Sequence, residues 1–189
     1  MHSICVFCGS RSGHDPAFAE AARRLGHYLG TSGHHLVFGG GRVGLMGALA
    51  DATLQAGGEV TGVIPRHLLD REVGHPDVTR LEVVEDMLTR KQRMIELSDA
   101  AITLPGGLGS LDELLEVMTW RQLGQLSAPL ALLNQQDYYR PLLTQFEHAV
   151  EAGFMEPGHL RLLQVVTDMD ELEDWLDRPR NPGAAEAAP

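Results

Sequence analysis

The chain has 189 residues, of which 43% are hydrophobic and 22% charged, with a formal net charge of −11; it is long enough to bury one substantial core as a single domain. That acidic balance argues against a nucleic-acid partner, which needs a basic face to displace counterions from the phosphates. No run of about 18 apolar residues is present to span a membrane, and Met1–Phe7 lacks the basic start of a secretory leader, so a soluble, cytoplasmic protein is expected.

Apolar runs and helical periodicity alternate along the chain. Strands are predicted near 3–8, 35–38, 60–64, 79–84, 100–104, 130–133 and 164–167, and helices near 15–31, 44–56, 87–97, 110–126, 138–152 and 170–177. Nearly continuous apolar strands separated by helices predict the α/β class: a doubly wound parallel sheet of about seven strands, with helices on both faces and ligands at the carboxyl ends of the strands. The domain is expected to fill residues 1–177. The remaining tail, 178–189, is rich in Pro, Ala and Gly and is expected to be disordered.

The first strand carries Cys5 and Cys8. Three positions apart on a strand they project to opposite faces, and there is no second pair to complete a zinc site. Two reduced, mostly buried thiols are expected, and no metal. The second strand, His35–Phe38, runs into Gly39-Gly-Gly-Arg-Val-Gly-Leu-Met-Gly47. This is G-x-G-x-x-G between a strand and a helix, the context in which the pattern signals phosphate binding. A dinucleotide fold would also place an acid at the end of the next strand; Val60–Ile64 ends instead in Pro65-Arg66, which fits a mononucleotide better than NAD.

Met87-Leu-Thr-Arg-Lys-Gln-Arg-Met-Ile95 follows the fourth strand and contains Lys91, the one lysine of the chain. On a helical wheel Lys91 shares a side with Met87, Met94 and Ile95, flanked by Arg90. Either the long stems cover apolar surface while their charges reach water, or Arg90 and Lys91 face the crevice above the sheet. A Schiff-base mechanism would have to use that single lysine, which disfavours the class. No cofactor is expected.

The fifth strand ends in Leu104-Pro-Gly-Gly-Leu-Gly-Ser-Leu-Asp-Glu113. The glycines let the backbone approach a ligand, and the first amides of the following helix offer an anion seat. Ser110-Leu-Asp-Glu113 also reads as a capping box, with the helix beginning at about Ser110 and Glu113 bonding back to it. Capping and a reactive role for Glu113 compete.

These segments resemble the Lonely Guy family, the cytokinin riboside 5′-monophosphate phosphoribohydrolases. Pro105–Glu113 is similar to its P-G-G-x-G-T-x-x-E signature. Phe7–Ser10, Phe38–Gly41 with Gly44–Gly47, Gly62–Pro65, Arg90-Lys91, Thr119-Trp120 and Gly153-Phe154 match further family segments in order. Ser110 stands where the family has threonine, and Asp112 where glutamate is common. Some members carry an old lysine decarboxylase label.

The resemblance implies a homodimeric Rossmann-like enzyme that cleaves the N-glycosidic bond of a nucleoside 5′-monophosphate to free base and ribose 5-phosphate. It implies Arg90 and Glu113 as the catalytic pair. The implied substrate pocket comprises Glu72, Lys91, Gly106, Gly107, Leu108, Gly109, Ser110, Leu111, Asp112 and Thr119, with Ser10, Gly40 and Gly41 from the matching glycine segments. A non-catalytic nucleotide or cofactor carrier, or an NADP-linked oxidoreductase, would use the same sheet and loops.

Overall fold

A computed structural model describes residues 2–69 and 73–178. Glu72 and the tail from residue 179 onward therefore lie outside the described residues.

Seven strands form one sheet: β1 (Ser3–Phe7), β2 (His35–Phe38), β3 (Val60–Pro65), β4 (Arg80–Val84), β5 (Ala100–Thr103), β6 (Leu130–Leu133) and β7 (Gln164–Val166). Six helices connect or follow them: α1 (Pro16–Thr31), α2 (Gly44–Gln55), α3 (Met87–Glu96), α4 (Leu108–Gln122), α5 (Arg140–Glu151) and α6 (Met169–Asp177). The order across the sheet is β4-β3-β2-β1-β5-β6-β7, and every pairing is parallel.

Side-chain alternation sorts the strands onto two cores. Ile4, Val6 and Cys8 face the core formed with α1, α2 and α6, which includes Leu25, Leu49 and Leu172. Cys5 and Phe7 face the opposite core with Met94 of α3 and Leu114 of α4, against which α5 lays Leu143 and Phe146. The two cysteines are thus buried on opposite faces as free thiols. Each fully buried leucine contributes about 1.5–3 kcal/mol relative to exposure, so neither face can be stripped of its helices.

Local signals fix the helix starts. Asp15 Oδ1 accepts from the Ala17 amide at 2.9 Å with Pro16 as the first helical residue, and Asp86 Oδ1 accepts from the Thr89 amide at 2.8 Å. The chain builds β1 to β4 outward on one side and then crosses by α3 to β5 on the other side of β1. The connections that leave β1 and β5 run to helices on opposite faces of the sheet, α1 and α4, which leaves a crevice at the carboxyl ends of these two strands.

Candidate active site

Helix α4 begins at Leu108, with Gly107 in the N-cap position and no side-chain capping bond. Ser110 is therefore the third helical residue rather than a cap, and the expected capping box does not form. The buried face of the helix is Ser110, Glu113, Leu114, Val117 and Met118. Its periodicity is that of a core helix, but the first two members are polar. Ser110 is 3% exposed and Glu113 7%, and burying a carboxylate is costly unless it is paired or hydrogen-bonded. A polar start to a buried stripe is what a site dug into the end of a core produces.

Arg90 faces Glu113 from the other side of the crevice. Within α3 the buried residues are Arg90, Met94 and Ile95, so Arg90, not Lys91, occupies the apolar stripe. Its guanidinium does not snorkel to water. Nε donates to Val63 O at 3.1 Å and Nη2 to Gly39 O at 2.8 Å, tying it to the ends of β3 and β2. This seat explains Gly39: a Cβ there would lie 2.0 Å from Arg90 Nη2. The same turn needs left-handed backbone at Gly40 (φ 78°) and Gly44 (φ 63°).

Arg90, Glu113, Ser10, Gly39 and Gly107 through Ser110 line one cleft, floored by Val6, Phe7, Cys8 and Met46. Burial pushes the Cys8 thiol well above its ordinary range; the Glu113 charge raises it further and Arg90 pulls the other way. A neutral, inert thiol results. Leu108 is 87% exposed at the cleft mouth. A Cβ at Gly107 or Gly109 would meet nothing within 4 Å. Packing thus leaves both positions free to carry a side chain, and what they leave open is the approach to the first amides of α4, which have no acceptor inside the helix.

The remaining expected site residues that the structure describes sit elsewhere. Lys91 Nζ bridges Asp112 at 2.9 Å and Glu116 at 3.0 Å, lacing α3 to α4. Burial alone would lower its pKa, but the bonds from Asp112 and Glu116 prevail and the net shift is upward. Thr119 is exposed, and its hydroxyl donates to Leu115 O at 2.7 Å. Leu111 packs at the edge of the α3–α5 core. Gly106 lies behind the cleft against the Ser110 side chain. Gly40 and Gly41 turn away from it: Gly40 O accepts from the His75 amide at 2.9 Å, and Gly41 pairs with Gly74. Glu72, outside the described residues, has no position here. Sequence reasoning had not placed Gly39, Cys8 or Met87 in the cleft. For Gly39 the signal existed, since it opens the glycine motif directly after β2; for Met87 the wheel pointed only to a core.

Fold and cleft together define a doubly wound α/β protein with a polar cleft at its topological switch point. The chain belongs to the Lonely Guy family, whose sequence profile, described as "Possible lysine decarboxylase", matches residues 46–176. It is 46% identical over 174 residues to cytokinin riboside 5′-monophosphate phosphoribohydrolase LOG7 of Arabidopsis thaliana, covering 92% of this chain and 80% of the relative. It is 45% identical over 169 residues to the cytokinin riboside 5′-monophosphate phosphoribohydrolase of Rhodococcoides fascians, covering 89% and 85%. Among solved structures, the molybdenum cofactor binding protein of Rippkaea orientalis superposes with a TM-score of 0.68 at 21% identity, covering 92% of this chain and 94% of that one. At that identity the likeness is one of fold. Among the described residues, no helix is long and apolar enough to cross a membrane.

Proposed function

We propose that this protein hydrolyses the N-glycosidic bond of a nucleoside 5′-monophosphate, releasing free base and ribose 5-phosphate. The observation that carries the reading is the cleft itself: the first amides of α4 open onto the same small space as the buried Glu113 and Arg90. The relatives' shared activity as phosphoribohydrolases supports the same reaction.

The amides of Gly107 through Ser110, with the hydroxyls of Ser10 and Ser110, receive the 5′-phosphate at the positive end of the helix. Glu113, six residues after the Gly107 cap, reaches the sugar; it bonds ribose hydroxyls and stabilises the oxocarbenium-like charge that develops at C1′. The C1′–N bond breaks, water supplies the oxygen that replaces the base, and its proton goes to the departing base. Arg90, immobilised by two main-chain carbonyls, holds Glu113 and the substrate in register. Lys91 braces α4. Because both carboxylates keep its ammonium charged, it lacks the neutral amine that condensation with a carbonyl requires, whatever the decarboxylase label suggests. The protein acts in the cytoplasm as a homodimer, with the exposed Leu115 of α4 and Leu123 at the helix C-cap on the apolar face a second copy covers.

The test is incubation with AMP, CMP, GMP and isopentenyladenosine monophosphate, with chromatography for released base. Base released from monophosphates and not from the corresponding nucleosides is expected. Retention of intact nucleotide without base release would overturn the reading in favour of a carrier.

A further inference from the structure

The cleft depends on the orientation of peptide planes in Leu104–Gly107, and the structure shows what sets it. A trans peptide points its C=O and N–H in opposite directions, so wherever a carbonyl is held, the next amide faces the other way. Three successive carbonyls before α4 are held. Tyr139, 3% exposed, donates its hydroxyl to Leu104 O at 2.8 Å. The Gly9 amide donates to Pro105 O at 3.1 Å. The Tyr138 hydroxyl donates to Gly106 O. The third bond fixes the Gly106–Gly107 peptide, whose N–H begins the row of amides opening onto the cleft.

Of these three clamps Tyr138 is the least explained by folding. The residue is 42% exposed, so core burial does not account for it. It is held edge-on by Phe18 (centroids 5.6 Å apart) and by Tyr139 (4.8 Å). The chain reaches it through Gln136 (φ 54°) and Asp137 (φ 57°), consecutive non-glycine residues in the left-handed region. That turn is braced: Asn134 donates to Asp137 Oδ1 at 3.2 Å and accepts the Tyr139 amide at 2.8 Å, while Gln135 Nε2 donates to Ala17 O at 3.4 Å. A strained backbone, over-determined by its neighbours, delivers one hydroxyl to the back of the glycine loop.

We infer that Tyr138 is a positioning residue for phosphate: by holding Gly106 O away from the cleft it keeps the Gly107 amide, rather than a carbonyl, facing the anion. The inference rests on the phosphate seat proposed above. Without the hydroxyl, the one peptide that joins the two glycines is free to rotate, and its carbonyl turned inward repels the ligand that an amide would bind.

Tyr138→Phe removes the hydroxyl and keeps the ring contacts. Titration calorimetry of the full chain with ribose 5-phosphate and with inorganic phosphate, alongside kinetics with AMP, reads the effect. Both ligands are expected to bind the variant about tenfold more weakly, as for a lost charge-assisted hydrogen bond. KM for AMP should rise by a similar factor while kcat stays within about twofold, the mark of lost uniform binding. Unchanged affinities and KM in the variant, with wild type binding normally, would overturn the clamp and leave the phosphate seat standing. A fall in kcat and melting temperature with KM unchanged would also overturn it, as a merely structural role. If wild type neither binds ribose 5-phosphate nor releases base, the seat falls and the clamp with it.

Discussion

Gly109→Ala should move stability and function in opposite directions. Gly109 is the second residue of α4, outside the left-handed region, and a Cβ there would meet nothing within 4 Å. No clash opposes the added methyl, and alanine is favoured over glycine in a helix by up to about 1 kcal/mol, less near the end. A gain of about 0.5–1 kcal/mol corresponds to a melting temperature higher by roughly 1–4 °C in a chain of this size. The open space the methyl enters, however, borders the cleft, where phosphate oxygens must come within about 3 Å of the Gly109 and Ser110 amides. Losing one or two charge-assisted bonds, at about 1.5–3 kcal/mol each, raises KM for a nucleoside monophosphate roughly 10- to 100-fold or more. Differential scanning calorimetry and initial-rate kinetics on the same preparation measure both signs. A variant that is more stable and binds monophosphate as well as wild type would refute the phosphate seat; one that is markedly less stable would refute the open-space argument.

Glu113→Gln keeps the shape of a buried side chain while removing its charge, and turnover should fall roughly 10²- to 10⁴-fold with the fold retained by circular dichroism; near-normal turnover would end the assignment. Gly39→Ala puts a methyl 2.0 Å from Arg90 Nη2, so the guanidinium must leave a carbonyl it cannot replace. A loss of about 2–4 kcal/mol, or roughly 5–15 °C in melting temperature, is expected together with at least ~10²-fold lower turnover. Glu82 receives Arg93 Nε at 2.8 Å and Nη2 at 3.3 Å. Arg93 holds its carboxyl below the ordinary 4.5 against an opposing push from burial. A depressed folded-state pKa gives stability that is present above the unfolded value and lost as pH falls through the folded one. The difference between wild type and Glu82→Gln, about 1 kcal/mol, should hold steady above about pH 5 and close as denaturation is followed into more acidic solution. A difference that persists unchanged in acid would show the pair contributes nothing.

Particular residues show how far a sequence can be read. The order of elements was legible throughout, because alternating short apolar runs and 3.6-periodic segments leave few folds open. Cys5 and Cys8 were placed on opposite faces by strand alternation alone. Glu113 was legible as an acid just past a glycine turn, but the start of its helix was not. Ser110 looks like a cap, whereas Gly107 supplies the non-helical φ and ψ, a choice set by how the loop packs on Gly9. Arg90 and Lys91 were reversed on the wheel, because adjacent positions differ by about 100° and only β2 and β3 decide which cation finds carbonyls. Tyr138 and Tyr139 gave no signal, since a hydroxyl's acceptor 32 or 35 residues away along the chain is a property of tertiary structure.

The seat of Arg90 has a consequence for how the protein fails on heating. Loops and lids ordinarily loosen before the sheet does, so activity is lost ahead of unfolding. Here the positive charge of the cleft is fastened to main-chain oxygens at the ends of β2 and β3, the adjacent strands on which Phe38 and Ile64 are fully buried. It drifts once those bonds break, and breaking them leaves carbonyls at the ends of two core strands without their donor. Thermal inactivation and loss of the sheet should therefore follow one curve, so that the rate assay serves as a thermometer of the core.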